Sequence, residues 1–269
     1  MSTKTFKVVV ASDVHLDHLT AGYDRFEDLK KSFDFIVDHA CTIKADLFLF
    51  CGDLCDPDNT RCHRSIAAAV EAALLLAKNG VPSRWLTGNH DVVESGGGDH
   101  TLMALKALAS FVPLTTNNTM NNPRMIDVYD QPDYETLVHR SGSGTVAFIG
   151  LPFTAASHGY DVRGALNVFT GVTGDDYLIV AGHLHIPGLI PGSETKDMPR
   201  GREVVLPTVR EISEILKHPL DKLVVINGHF HTPQVHDGII IPGSLDRLTF
   251  GEESTPKSFT VIEVPCGDA

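Results

Sequence analysis

The 269 residues are enough for one large domain or two small ones with a substantial core. Hydrophobic residues make up 42% and charged residues 21%, close to globular averages, which excludes disordered and fibrous chains. Lys and Arg number 22 against 34 Asp and Glu, a net charge of −12, and this disfavours a broad nucleic-acid footprint.

Strand and helix signals alternate from the start. FKVVVAS (6–12) reads as a strand, followed by an amphipathic helix over about 24–43 in which Phe26, Leu29, Phe33, Ile36 and Ala40 recur at three and four residues. DLFLFCG (46–52) is the next strand, and the helix SIAAAVEAALLLAKNG (65–80) stops at Gly80. VPSRWLTG (81–88), a helix near 101–111, the shorter strands TLVHR and TVAFIG, and the strand LIVAG follow. A Pro- and Gly-rich loop at 187–201 leads to a helix at about 207–217, the strand LVVING, and final strands at GIIIPG and SFTVIEV. The first half is βαβ-like and the last fifty residues read as mainly β. That predicts an α/β protein of two stacked sheets with helices outside, in a single domain over 1–269.

No apolar run approaches the ~18 residues of a membrane span, and MSTKTFKVVVAS leads straight into a strand. Neither an anchor nor a secretory leader is expected. The five cysteines, at 41, 51, 55, 62 and 266, follow no paired zinc spacing and read as reduced thiols in a cytoplasmic protein.

Five strand ends carry metal-ligand chemistry. FKVVVAS runs into Asp13-Val14-His15, DLFLFCG delivers Asp53 and Asp56 in Gly-Asp-Leu-Cys-Asp, and SRWLTG delivers Gly88-Asn89-His90-Asp91. LIVAGHLH (178–185) and VVINGHFH (224–231) both end in Gly-His-x-His. In an extended chain residues i and i+2 point the same way, so His183 with His185, and His229 with His231, would face one site. Open α/β sheets place ligands at carboxyl strand ends. Each piece alone is also ordinary turn chemistry; their joint occurrence, in order and at one predicted sheet edge, is not.

The ordered set Asp-x-His, Gly-Asp-x-x-Asp, Gly-Asn-His-Asp, a lone His after a strand, and Gly-His-x-His resembles the calcineurin-like metallophosphoesterases. The resemblance spans residues 13–231 and implies a four-layer α/β/β/α sandwich of two stacked mixed sheets. It also implies two metal sites bridged by Asp53, with Asp13, His15 and His231 completing the first and Asn89, His183 and His229 the second. His90 would protonate the leaving oxygen, with Asp91 fixing its tautomer. Asp56 would orient a ligand histidine or cap the following turn, and His185 is surplus, either supporting a ligand or facing substrate.

Two divalent ions about 3.5–4 Å apart clamp the attacking and leaving oxygens of a phosphoryl group, and a hydroxide held between them attacks in line. The mixed O and N donor set without thiolate suits Mn, Fe, Zn or Ni and argues against Ca; Mn is the expectation. The loops 92–100 and 187–201 are expected to form the rims. The glycines 96–98 lack the Lys-Ser/Thr of a phosphate-binding loop, and the basic cluster Lys196, Arg200 and Arg202 reads as a solvated patch.

GHFHTPQ (228–234), IIIPGSLDRLTFGEE (239–253) and GDLCD look like the SbcD branch of DNA-repair nucleases. Members of that branch usually continue into a DNA-capping domain and a segment that docks an ATPase partner; the chain reads as lacking both. Three functions follow: a phosphodiesterase of small or cyclic nucleotides, which the acidic charge favours; an SbcD-like DNA exonuclease or endonuclease, with nucleic acid as substrate and an ATPase as partner; and a catalytically inactive metal-binding scaffold, disfavoured by the intact ligand set.

Overall fold

The structure, a computed structural model, describes residues 5–56, 62–93, 99–112, 124–139, 144–154, 160–171, 177–189 and 204–266. The first half runs β1 (Thr5–Ala11), a hairpin of β2 (Leu19–Thr20) and β3 (Tyr23–Asp24), α1 (Phe26–Thr42), β4 (Leu47–Phe50), α2 (His63–Lys78), β5 (Ser83–Leu86), α3 (Met103–Ala109) and β6 (Ile126–Tyr129). The second half runs β7 (Asp133–Val138), β8 (Thr145–Leu151), α4 (Val162–Val168), β9 (Tyr177–Gly182), α5 (Val209–Leu216), β10 (Leu223–Asn227), β11 (Gln234–His236), β12 (Ile239–Ile241) and β13 (Thr260–Pro265).

One sheet has the order β13-β1-β4-β5-β6, the other β11-β12-β10-β9-β8-β7. In the first, β1, β4, β5 and β6 are parallel and β13 antiparallel. In the second, β8, β9, β10 and β12 are parallel and the edge strands β7 and β11 antiparallel.

The apolar strand runs explain the layering, because alternate residues serve opposite faces. Val8 and Val10 of β1, Leu47 and Leu49 of β4, Phe148 of β8, and Ile179 and Ala181 of β9 fill the space between the sheets. Their neighbours Val9, Ala11, Phe48 and Phe50 face the helical layer, where Phe33, Ile36, Ala69 and Trp85 meet them. On the far side Val180 and Val225 pack under Leu166, Ile212 and Leu216 of α4 and α5. The expected α/β/β/α sandwich is the one observed.

Four elements escape the sequence reading: the β2–β3 hairpin, the four-residue β6, α4 and the three-residue β11, each too short to show a period. The last fifty residues are less β than expected. From 242 to 259, between β12 and β13, the chain contains only a single turn of 3-10 helix, Phe250–Glu252. No helix among the described residues is long and apolar enough to cross a membrane, and none of the five cysteines is in a disulfide.

One ion pair, with a fully buried arginine and a half-buried glutamate, ties the sheets together. Arg84 of β5 and Glu135 of β7 occupy inward-facing positions; Arg84 Nη2 donates to Glu135 Oε2 at 2.8 Å, Nε donates to Oε1, and Nη1 donates to the Arg124 carbonyl at 2.8 Å. Burial alone would raise the Glu135 pKa, but the Arg84 hydrogen bonds and charge hold it below its ordinary value. Glu135→Gln strands a fully buried guanidinium and is expected to lower the unfolding free energy by about 3 kcal/mol at neutral pH. A depressed carboxylate contributes fully above its unfolded value of 4.5 and loses that contribution as pH falls through the folded one. Urea unfolding of both proteins should therefore show the gap closing as pH drops below 4.5; a gap independent of pH would dismiss the ion pair as its source.

Candidate metal centre

The parallel strands β1, β4 and β5 of one sheet and β9 and β10 of the other end at one place. The chain turns sharply there: Asp13 (φ 52°), His15 (φ 45°), Asp53 (φ 61°) and His229 (φ 79°) all adopt left-handed backbone. Such a conformation costs roughly 1–3 kcal/mol per non-glycine residue and persists only where the surroundings enforce it. Of the two i, i+2 pairs, His229 and His231 both reach this place, in different clusters, whereas His185 does not join His183. β10 ends at Asn227, and the left-handed turn at His229 directs its ring to a different cluster from that of His231.

Two clusters result, and a third group among the described residues, His15, Asp56 and His90, shares His15 with the first. Potential ligand atoms of Asp13, His15 and His231 lie within 4.8 Å of one another, as do those of Asp53, His183 and His229. Asn89 joins the second, its Oδ1 3.0 Å from His183 Nε2 and 3.0 Å from His229 Nδ1. Asp53 Oδ2 reaches both, 3.1 Å from His183 Nε2 and 3.8 Å from His15 Nε2. The seven residues expected as ligands are thus brought together.

Two glycines make this convergence sterically feasible. A Cβ on Gly88 would lie 2.1 Å from Asp53 Oδ1, and one on Gly228 would lie 2.3 Å from both the Cys51 carbonyl oxygen and Ser12 Oγ. Backbone and carboxylate occupy the space a side chain would need.

The twin Gly-His-x-His octets sit on adjacent strands one residue out of register, Gly182 opposite Asn227. Asn227, the one polar residue of its apolar run, clamps the strand ends: Oδ1 accepts from Leu184 N (3.0 Å) and Nδ2 donates to the Leu184 (2.8 Å) and Gly228 (2.7 Å) carbonyls. His183 Nδ1 donates to the Cys51 carbonyl at 2.6 Å, leaving Nε2 toward Asp53 and Asn89. His185 stays outside both clusters, half-buried, its ring 6.5 Å from that of His229.

The expected partner of His90 is corrected. The Asp91 carboxylate is taken up by the Gly88, Asp53 and Leu54 N–H groups at 2.9, 2.8 and 3.0 Å and by the Thr101 hydroxyl at 2.6 Å. It pins two loops and leaves the His90 ring alone. Asp56 is the residue beside that ring, its Oδ1 2.9 Å from His90 Nδ1 and its Oδ2 2.9 Å from His18 Nδ1. Asp17 Oδ1 in turn accepts the Asp56 N–H at 2.7 Å. Sequence reasoning misses Asp17, His18, Ser12 and Asn227, though a polar residue ending an apolar run marks Asn227. The rim loops fall largely outside the described residues, as do the glycines 96–98, Lys196, Arg200 and Arg202.

Electrostatically the centre is short of cations. Burial raises Asp13 to about 6 and Asp91 above its ordinary value. Burial holds His15 down at about 3, assisted by His90, and holds His229 well below the ordinary range, assisted by His183. Burial would lower His183, but the Asp53 charge overrides it and lifts it to about 9. Burial likewise opposes a charged Asp53, which His183 nevertheless holds far down. His90 is raised to about 10 against its burial by Asp53 and Asp56, and Asp56 is lowered against its own by His18 and His90.

A pair of divalent cations fits this donor set. His15, 2% exposed, has no hydrogen-bond partner on either ring nitrogen, a costly state for a buried polar group unless a Lewis acid takes the lone pair. Carboxylate, amide and imidazole donors without thiolate suit a first-row divalent ion.

The loop-pinning role of Asp91 has a direct consequence. Asp91→Ala removes a carboxylate accepting four hydrogen bonds and is expected to cost about 3 kcal/mol or more in urea unfolding without added metal. His90→Ala, removing a ring on the site surface, should cost under about 1 kcal/mol. Equal costs would contradict the assignment.

A family model described as calcineurin-like phosphoesterase matches residues 6–233. The SbcD component of nuclease SbcCD from Staphylococcus saprophyticus is 23% identical over 281 aligned residues, covering 96% of this chain and 65% of that protein. DNA double-strand break repair protein Mre11 from Aeropyrum pernix is 34% identical over 100 residues, covering 37% of this chain and 24% of that protein. The chain thus spans less than two thirds of either curated relative. A dimetal phosphatase from Danio rerio shares the fold, with a TM-score of 0.51 and 11% identity over 96% of this chain and 92% of that one. With the family model matched along most of its length and oxygen and nitrogen ligand types gathered at five strand ends, the chain belongs to the calcineurin-like phosphoesterase family.

Proposed function

We propose that this enzyme is a two-metal phosphodiesterase acting on nucleotide phosphodiesters, with small and cyclic nucleotides as preferred substrates and Mn as the working metal, in the cytoplasm. The single observation that carries the two-metal reading is the buried Asp53 carboxylate lying within 4 Å of a histidine in each cluster. Asp13, His15 and His231 hold one ion, Asn89, His183 and His229 the other, and Asp53 serves both. Bound there, two divalent ions supply an activated water and neutralise charge on the phosphoryl oxygens.

The protein's own part is positioning and proton delivery. Asn89 and His90 leave β5 together, so a leaving oxygen at the centre lies beside the His90 ring. Asp56 Oδ1 lies 2.9 Å from Nδ1 of that ring, which leaves Nε2 as the nitrogen that gives its proton to the leaving oxygen as the P–O bond breaks. Its half-open position, 15% exposed, leaves His90 accessible to substrate, unlike the wholly buried His183. The net charge of −12 opposes tracking of a long polyanion and favours a compact diester.

A second reading, an SbcD-like DNA exonuclease or endonuclease with an ATPase partner, is favoured by the similarity to the SbcCD nuclease component along 96% of the chain. Purified protein given Mn and offered 2′,3′-cyclic and 3′,5′-cyclic nucleotides beside single- and double-stranded DNA separates the two. The first reading expects turnover of a cyclic nucleotide with DNA left intact. Degraded DNA, inert cyclic nucleotides and a steep fall of rate with salt would replace it by the second. In either case His90→Ala should lower kcat by about 10²–10⁴-fold, and Asp53→Ala should abolish both turnover and the rise in melting temperature on adding Mn. Full activity in Asp53→Ala would refute two-metal catalysis.

A further inference from the structure

The segment between β12 and β13 passes beneath His231, and three of its residues engage that histidine. Glu252 is 2% exposed; its Oε1 lies 3.3 Å from His231 Nδ1, and its Oε2 accepts from the Leu248 N–H at 3.1 Å. Lys257, its side chain 7% exposed, places Nζ 2.7 Å from Glu252 Oε2, 2.7 Å from Ser244 Oγ and 2.9 Å from the His231 carbonyl. The ammonium thus finds three acceptors for its three donors. Ser244 N also donates to the His231 carbonyl, at 3.2 Å.

A buried Glu–Lys pair is costly to build and contributes little net stability against apolar residues of the same shape. Its placement suits a different purpose. Glu252, charged beside Lys257, can only accept, so His231 Nδ1 must carry the hydrogen between them. That leaves the Nε2 lone pair as the nitrogen for the Asp13–His15–His231 cluster. The His183 ring is set by a backbone carbonyl; His231 is set by an acidic side chain of the segment that follows β12. Resting on the two-cation reading above, we propose that Glu252 and Lys257 are positioning residues: a buried, charge-neutral clamp that fixes the tautomer and ring orientation of His231 and so sets the cation affinity of the first cluster alone.

Mn titration followed by electron paramagnetic resonance of the free ion tests this without reference to turnover. A His183→Ala background disrupts the second cluster and keeps the first, and a His231→Ala background does the reverse. Glu252→Gln/Lys257→Met, which removes both charges while keeping shape, is expected to weaken Mn binding about 10–100-fold in the first background and by less than about twofold in the second. The near-isosteric Glu252→Gln alone serves if the double variant does not fold, with the same direction expected. Unchanged affinity in the first background overturns the clamp, and an equal loss in both marks a general distortion and overturns it too. Wild-type protein that takes up two Mn ions keeps those failures separate from failure of the two-cation reading; wild-type protein that takes up none sinks both.

Discussion

A carboxylate buried between two groups of histidines is the constraint on which the rest of this structure depends. Asp53 is 1% exposed, and burial of a charge is tolerated only with counter-charges and hydrogen bonds in place. Its Oδ2 faces His183 and His15, its Oδ1 accepts the His90 N–H, and its own N–H is held by Asp91. Placing it there demands a left-handed backbone and a neighbour at position 88 with no side chain. The Gly-Asp and Gly-Asn-His-Asp motifs are two halves of one steric arrangement: the glycine of the second makes room for the aspartate of the first.

The stacked sheets supply the second requirement, that ligands from distant parts of the chain arrive at one depth. Parallel strands from both sheets end together, and polar bonds fasten the ends across the interface. The Cys51 carbonyl of the first sheet accepts from both Ser12 and His183, and the His229 N–H points at the Asp13 carboxylate, 3.1 Å from each oxygen. Rigid strands with irregular ends place catalytic groups more accurately than long loops could. The strain at Asp13, His15, Asp53 and His229 is held by the packed layers of Val8, Val10, Leu49 and Ile226 behind them.

Much of this is legible in the sequence. Strands buried on both faces announce themselves as apolar runs; four such runs, with the more polar SRWL as a fifth strand, each lead into Asp, Asn or His and mark both the sheet edge and the ligands. The helices at 26–42 and 63–78 show in their spacing because each presents one apolar face to a sheet. What is not legible depends on contacts made across the fold. Nothing local distinguishes Asp91, beside His90 in sequence, from Asp56, which touches it; the turn after Asn89 carries the Asp91 carboxylate back under the loop. The β2–β3 hairpin and the 242–259 segment lack periodicity, so the Glu252–Lys257 pair beneath His231 becomes visible only when strand and segment are in place. The substrate stays outside such reasoning, since ligand spacing encodes the cations and their chemistry rather than what binds above them.

On the two-cation reading, Asp53 joins two sites assembled from five strand ends. Crystals grown with Mn, measured at the Mn absorption edge, test it most directly. Two anomalous peaks are expected, one among Asp13, His15 and His231 and one among Asn89, His183 and His229, with the Asp53 carboxylate touching both. A single peak, or two peaks that do not share Asp53, would contradict it.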